Sequence, residues 1–290
     1  MSRLSVVTDS TQYLPRETIE RHGLQLVSLY VNWNGRTDRE IDLPDYDAYY
    51  DFLRSGGELP TTSQPSVGDF LAVYEPLVEQ GDDILSIHIS GGISGTVRAA
   101  EQARELLIEQ GMGPERMVVV DSLTGSAGHG LMAVAAVNAH ASGVDLAGAV
   151  SAAQAMRENL KILMMVDTLE FLRRGGRIGA AQAWIGATLK VKPILTIEGE
   201  VQPVERVRTA SRAFERLVAH LEQRRENGCD GFVIQHVQTP EQAERLAERG
   251  REIYGRDPEL ISEIGPVIGT HTGPGILGVT GLKTELLGPF

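Results

Sequence analysis

The stretch Ile84-Leu85-Ser86-Ile87-His88-Ile89-Ser90-Gly91-Gly92-Ile93-Ser94-Gly95-Thr96 decides the fold. It opens as a short apolar run and breaks at paired glycines. From Thr96 an amphipathic segment continues to residue 109, before a second apolar run at 117–120. Two apolar strands separated by a helix-length segment imply a crossover connection and parallel pairing. The pattern extends upstream, where strand-like runs at 4–8 and 26–31 interleave with helix-like segments at 15–21, 44–54 and 67–79. Pro15, Pro44 and Ser66 stand where helices begin. Helix-like segments at 128–141 and 146–158 close a first α/β unit, a parallel sheet flanked by helices.

The remainder reads differently. Strand-like runs at 162–166, 191–197, 201–207, 231–237 and 265–269 accompany helices near 211–225 and 240–254. Ile194-Leu195-Thr196-Ile197-Glu198-Gly199-Glu200-Val201 reads as a hairpin turned at Glu198-Gly199-Glu200. A second α/β unit with a mixed or antiparallel sheet and helices is expected. Two domains, 1–157 and 158–290, suit a chain of 290 residues.

At 42% hydrophobic and 23% charged, the chain has the composition of a globular protein with a sizeable core. Its 27 basic against 39 acidic side chains, net −12, make it a poor partner for nucleic acid. Cys229 is the single cysteine, so no intramolecular disulfide or Cys-rich metal site is expected. No apolar run approaches the ~20 residues that cross a bilayer. The N-terminus meets polar residues too early for a signal peptide, which points to the cytoplasm. Residues 157–220 carry eleven basic and seven acidic side chains. Either these are solvated helix faces or the stretch meets an anionic group or an acidic partner.

Several chemistries drop out. Gly273-Pro274-Gly275-Ile276-Leu277-Gly278 matches a dinucleotide fingerprint, but too little chain follows for the helix, strand and acidic residue it needs. Gly92-Ile93-Ser94-Gly95-Thr96 ends in Thr and is no nucleophile elbow. No Walker A run occurs, and the histidines never pair at metal-ligand spacing, so no metal is expected. His88 and His236, inside strand-like runs, read as satisfied core or edge residues.

What remains is a set of hydroxylated, glycine-rich segments placed at strand ends: Pro60-Thr61-Thr62-Ser63-Gln64-Pro65-Ser66, Ser90 to Thr96, and Asp121-Ser122 to Ser126. At the carboxyl ends of parallel strands such loops converge on one crevice and suit an anion. Ser66 and Ser122 read first as caps or turn formers. Ser94, left unshielded by Gly91, Gly92 and Gly95, reads as functional. His271, among Thr270, Thr272, Gly273 and Pro274, suits a carboxylate or phosphate oxygen better than acyl transfer. Between them, residues 171–197 mix large apolar side chains with Ala and Gly, which allows close packing or room for an elongated ligand.

These segments, in this order, resemble the DegV family of bacterial fatty-acid-binding proteins. The motifs are Val7-Thr8-Asp9-Ser10, Thr61 to Ser66, Ile93-Ser94-Gly95-Thr96, Val120-Asp121-Ser122, Asp167 to Ile178, Lys192-Pro193-Ile194-Leu195, and Gly265 to Gly278. The resemblance implies two α/β domains with one long-chain fatty acid, such as palmitate or oleate, between them and no other cofactor. The carboxylate would lie on Thr62, Ser94 and His271. The acyl pocket is expected chiefly in the second domain, at Phe171, Ile178, Ile185, Leu189 and Ile194. It further implies presentation of the lipid to a separate ATP-dependent kinase that forms an acyl phosphate, with Arg206 and Arg208 as contacts to that partner or to the phosphate. The chain departs from the pattern at Gly91-Gly92 and Val97-Arg98-Ala99 but keeps Ser94. Two other readings stand beside the noncatalytic carrier: a serine enzyme with Ser94 as nucleophile and His271 as base, and a fatty-acid-sensing regulator.

Overall fold

The computed structural model describes residues 3–56, 58–185 and 191–288. The first half runs β1 (Leu4–Asp9), α1 (Arg16–Arg21), β2 (Gln25–Val27), β3 (Tyr30–Trp33), β4 (Arg36–Arg39), α2 (Asp47–Arg54), β5 (Thr61–Ser63), α3 (Val67–Glu79), β6 (Asp83–His88), α4 (Thr96–Glu109), β7 (Met117–Asp121), α5 (Ala127–Ala141) and α6 (Leu146–Asn159). The second runs β8 (Leu163–Met165), α7 (Glu170–Arg174), β9 (Lys192–Glu198), β10 (Glu200–Val207), α8 (Ala210–Glu226), β11 (Gly231–His236), α9 (Pro240–Tyr254), β12 (Leu260–Glu263), α10 (Pro266–Thr272), β13 (Leu277–Leu282) and α11 (Thr284–Leu287).

Strands β2-β1-β6-β7 form the expected parallel sheet, with Val6 opposite Leu85 and Ile87 opposite Val120. Side chains alternate across it. Val7 and Ile84 pack under α3 and α4, whereas Val6 and Leu85 meet α5 and α6. Helix α3 starts at a reciprocal cap: Ser66 Oγ accepts from Asp69 N at 3.1 Å while Asp69 Oδ2 accepts from Ser66 N at 2.7 Å. The second sheet, order β10-β9-β8-β13-β11-β12, is antiparallel except for the β11–β12 pair. Helices α8 and α9 cover one of its faces, and the β9–β10 hairpin turns at Gly199, φ +77°. The protein thus has two α/β units of the expected kinds.

Helix α5, rich in Ala and Gly, is buried between the sheets, its side chains shared with Val6 and Leu85 on one side and Val233 and Leu282 on the other. The hairpin tip docks onto the first unit. Gly199 N donates to Leu123 O at 2.8 Å, Ser90 Oγ bonds Gly199 O, and Arg157 reaches Glu198 Oε2 at 2.6 Å. A Cβ on Gly92 would overlap the Gly199 carbonyl, so the docked hairpin requires glycine there.

Three expectations are corrected. Residues 26–31 are not one strand. They break at Ser28-Leu29, where Leu29 N turns to bond Ser10 Oγ at 3.1 Å, and the chain passes from the parallel sheet into a small antiparallel one, order β4-β3-β5. Thr62 accordingly lies within strand β5, paired with Val31, and not in a loop beyond an apolar strand. Residues 265–269 are not a strand either: Pro266 opens helix α10, because proline at the first helical position lacks only an N–H that would be unpaired anyway. The strand follows instead as glycine-rich β13.

Candidate functional site

A cavity of about 330 Å³ lies between the carboxyl edge of the parallel sheet and the second sheet. That is the size of a small-molecule pocket, ~300–1,000 Å³. Most of its wall is apolar, with Ile93, Met164, Leu172, Ile197, Val267 and Ile276 among the contributors. Thr62, Ser94 and His271 all line it, so three segments far apart in sequence meet on one space.

Each is placed by its element. Thr62 is held in β5 by pairing with β3, and His271 projects from the last turn of α10. Thr62 Oγ1 and His271 Nε2 are 2.8 Å apart. Ser94 sits just before α4, where its Oγ lies 2.8 Å from Thr96 Oγ1 and accepts from Thr96 N at 3.3 Å. The start of that 14-residue helix adds positive dipole density at the cavity wall. Gly95 has no room for a side chain against the Gln64 amide, so the Thr62 and Ser94 segments pack directly on each other.

Burial, helped by the positive charge of Arg177, pulls the His271 imidazole down to about 4. Near neutral pH it is uncharged, and its Nδ1 is buried without a hydrogen-bond partner among the described residues. A buried N–H without a partner costs more than a bare ring nitrogen, so the proton belongs on Nε2, facing Thr62. Arg177 also lines the cavity; its guanidinium bonds two carbonyls, Gly175 O at 2.7 Å and Ile93 O at 3.3 Å, and no carboxylate among the described residues. The sequence reading passed over it, although Gly175-Gly176 immediately before an arginine was a signal for a close backbone approach.

Of the other expected pocket residues, the four described ones do not line the cavity. Ile194 points to the opposite face of β9 from Leu195 and Ile197, into the packing under α8. Phe171 packs over Gly273, Ile178 is buried beside the cavity without lining it, and Ile185 is 43% exposed. Leu189 lies outside the described residues. The wall is built instead from Met164 of β8, Ile197 of β9, Gly278 to Thr280 of β13, and Val267, Ile268, His271 and Thr272 of α10. Ser126, Gln235 and Thr280 also line it, the Gln235 amide being taken up by Ala127 N and Ser262 Oγ.

The sequence profile of a family described as an uncharacterised protein, DegV family, matches residues 3–284. The chain belongs to the DegV family. A DegV domain-containing protein of Streptomyces coelicolor is 39% identical, covering 96% of this chain and 98% of its own. Among solved structures, DegV of Bacillus subtilis, described as a fatty acid binding protein, superposes at a TM-score of 0.88 with 33% identity, covering 98% of this chain and 100% of its own. A DegV family protein of Thermus thermophilus, described by its fatty acid binding, gives 0.86 at 35% identity, covering 97% and 99%.

Beneath the site this DegV chain buries a charged knot. Asp9 accepts from Ile89 N at 3.0 Å and lies 3.1 Å from His88 Nδ1 and 3.3 Å from His129 Nε2. Burial pushes its carboxyl up, but the two imidazoles, His129 foremost, overcome that and hold it well below the usual carboxylate range. The DegV motif Val7-Thr8-Asp9-Ser10 therefore anchors the strand end that leads to Ser94. On the far side, Arg206 and Arg208 share a surface groove with Arg212, Arg216, Glu205 and Glu215, and Arg206 stacks 5.2 Å over the Trp184 ring. Among the described residues no cluster of metal-ligating side chains occurs, and no helix is long and apolar enough to cross a membrane.

Proposed function

We propose that this DegV chain binds one long-chain fatty acid, such as palmitate or oleate, in the cavity between two domains, 1–157 and 158–290. The observation that carries the reading is a compact polar set, Thr62, Ser94 and His271, on an otherwise largely apolar cavity. His271 Nε2–H donates to Thr62 Oγ1, which frees the Thr62 hydroxyl proton for a carboxylate oxygen. Ser94 supplies a second donor and Arg177 a nearby positive charge. Each buried methylene of the chain adds ~0.8 kcal/mol. The fatty-acid binding described for the Bacillus and Thermus relatives supports the same assignment.

In this reading the protein is a noncatalytic carrier in the cytoplasm. Ser94 pairs with Thr96 and His271 with Thr62, so nucleophile and base are each engaged elsewhere, which favours holding a carboxylate over attacking an acyl group. The lipid would be presented to a separate ATP-dependent kinase, Arg206 and Arg208 meeting that partner. Native mass spectrometry with solvent extraction tests the reading. One fatty acid per chain is expected, reduced in Ser94→Ala and His271→Ala; no extractable lipid and no uptake of added palmitate or oleate refutes it.

A further inference from the structure

The residues that follow Asp9 touch none of the three carboxylate ligands, yet they converge on the helix that carries one of them. Glu40, 2% exposed, lies between β4 and α2 in the first unit. Its Oε2 accepts from Ser10 Oγ at 2.6 Å and its Oε1 from Tyr13 Oη at 2.7 Å. Oε1 also accepts from Val267 N at 2.8 Å, in the first turn of α10 and 227 residues away. Tyr13 Oη takes the next amide, Ile268 N, at 3.3 Å. The approach is close: a Cβ on Gly265 would lie 2.6 Å from Tyr13 Cε1 and 2.8 Å from Glu40 Oε1, and one on Gly269 would lie 2.7 Å from Tyr50 Cε1 and run into its hydroxyl.

Val267 and His271 are four residues apart, about one helical turn, and so share a face of α10. A shift at the bonded amide is carried to the imidazole. We propose that Glu40 is a positioning residue for the carboxylate site: its carboxylate fixes the backbone of α10 so that His271 meets Thr62, and so sets affinity for the fatty-acid headgroup. The inference rests on the carboxylate reading of Thr62, Ser94 and His271. Three donors converge on two oxygens, which a carboxylate accepts in full. A glutamine still serves Tyr13 and Val267 through its carbonyl while its NH₂ faces the Ser10 hydroxyl. A leucine leaves all three donors without an acceptor.

The test compares palmitate with hexadecanol, which has the same chain but no carboxylate, on delipidated wild type, Glu40→Leu and Glu40→Gln. Palmitate is expected to bind Glu40→Leu at least tenfold more weakly, hexadecanol within about threefold of wild type, and Glu40→Gln to recover most of the loss. Unchanged palmitate affinity in Glu40→Leu, or equal losses for acid and alcohol, overturns the proposal. Should Glu40→Leu fail to fold, Tyr13→Phe removes one Glu40 bond and the Ile268 contact, with a smaller loss expected for the acid alone. The imidazole nitrogen resonances of His271 give a ligand-free readout: they should move in the Glu40 variant towards their positions in Thr62→Val. If wild type takes up no fatty acid, the binding reading fails by itself, and unmoved His271 resonances would separately end the positioning role.

Discussion

Replacing Gly175 by alanine tests whether the His271 ring sits where its chemistry requires. Gly175 has φ −75° and ψ −7°, ordinary right-handed values that alanine adopts without strain. In such a place Gly→Ala alone stabilises by ~0.4–1 kcal/mol through the unfolded chain. Here the new methyl group would overlap His271 Nδ1, with Cε1 at 3.1 Å and Cγ at 3.2 Å. The imidazole must give way by ~1 Å to regain van der Waals separation, and because the methyl stands in line with Nδ1 the ring is driven against Thr62 or turned aside, so the 2.8 Å bond loses its geometry. Overpacking costs ~1–3 kcal/mol and a buried imidazole N–H left without its acceptor another ~1–3 kcal/mol. The net expectation is a loss of about 3 kcal/mol, and at ~2–4 °C per kcal/mol a fall in Tm of roughly 5–10 °C. Fatty-acid affinity should fall at least tenfold. Thermal unfolding and palmitate titration of the delipidated protein read both. Gly176→Ala is the control: at φ +69° it is strained but meets nothing within 4 Å, so it should lower Tm while leaving affinity alone. A Gly175→Ala protein that melts higher and binds palmitate normally would refute the described packing.

Two further outcomes are expected. The unfolded chain protonates His271 near pH ~6.5, whereas the folded protein does so at about 4, so this group removes stability as pH falls from the first value towards the second. Glu40, pushed up to about 7 by burial against an unfolded value of 4.5, acts in the opposite sense across much of that window. The His271 contribution is therefore read as a difference: between ~pH 7 and ~pH 4.5, delipidated His271→Gln should lose ~2 kcal/mol less in urea unfolding than wild type, and equal slopes would count against a neutral buried His271. Gly278 lines the cavity from β13, and a Cβ there would meet Met164 Cβ at an ordinary 3.6 Å. Gly278→Leu should therefore fill space without distorting the strand and shift preference towards shorter fatty acids in competition binding; an unchanged chain-length profile would place the chain elsewhere.

Much of the frame was legible in the sequence because local signals and tertiary demands agreed. Residues 67–79 and 96–109 carried helix periodicity between apolar strands, and the Ser66 cap and the Glu198-Gly199-Glu200 turn were chemical signals that needed no partner. Parallel pairing followed from the helix-length spacing alone. The hydroxyl at Ser94 and the imidazole at His271 stood out because glycines left them uncovered, and the family resemblance added Thr62 as their companion.

Tertiary structure decided the rest. Apolarity says that a side chain is buried but not on which face. Ile194 and Ile197 look alike in the sequence, yet they stand three positions apart on β9, so their side chains face opposite ways, one under α8 and the other to the cavity. The helix at 266–272 reads as a strand because Val267, Ile268 and the adjoining glycines carry no helical period; the contacts of Glu40, Tyr13 and Tyr50 give that segment its place. Glu40 left no local mark of its role, since Val267, which it meets, lies 227 residues away; Arg177 was marked only by the glycines before it, and its second carbonyl, that of Ile93, lies on another segment. Sequence fixes what each element prefers locally, whereas a site built from hydrogen bonds spanning 227 residues exists only once the two sheets have packed around α5.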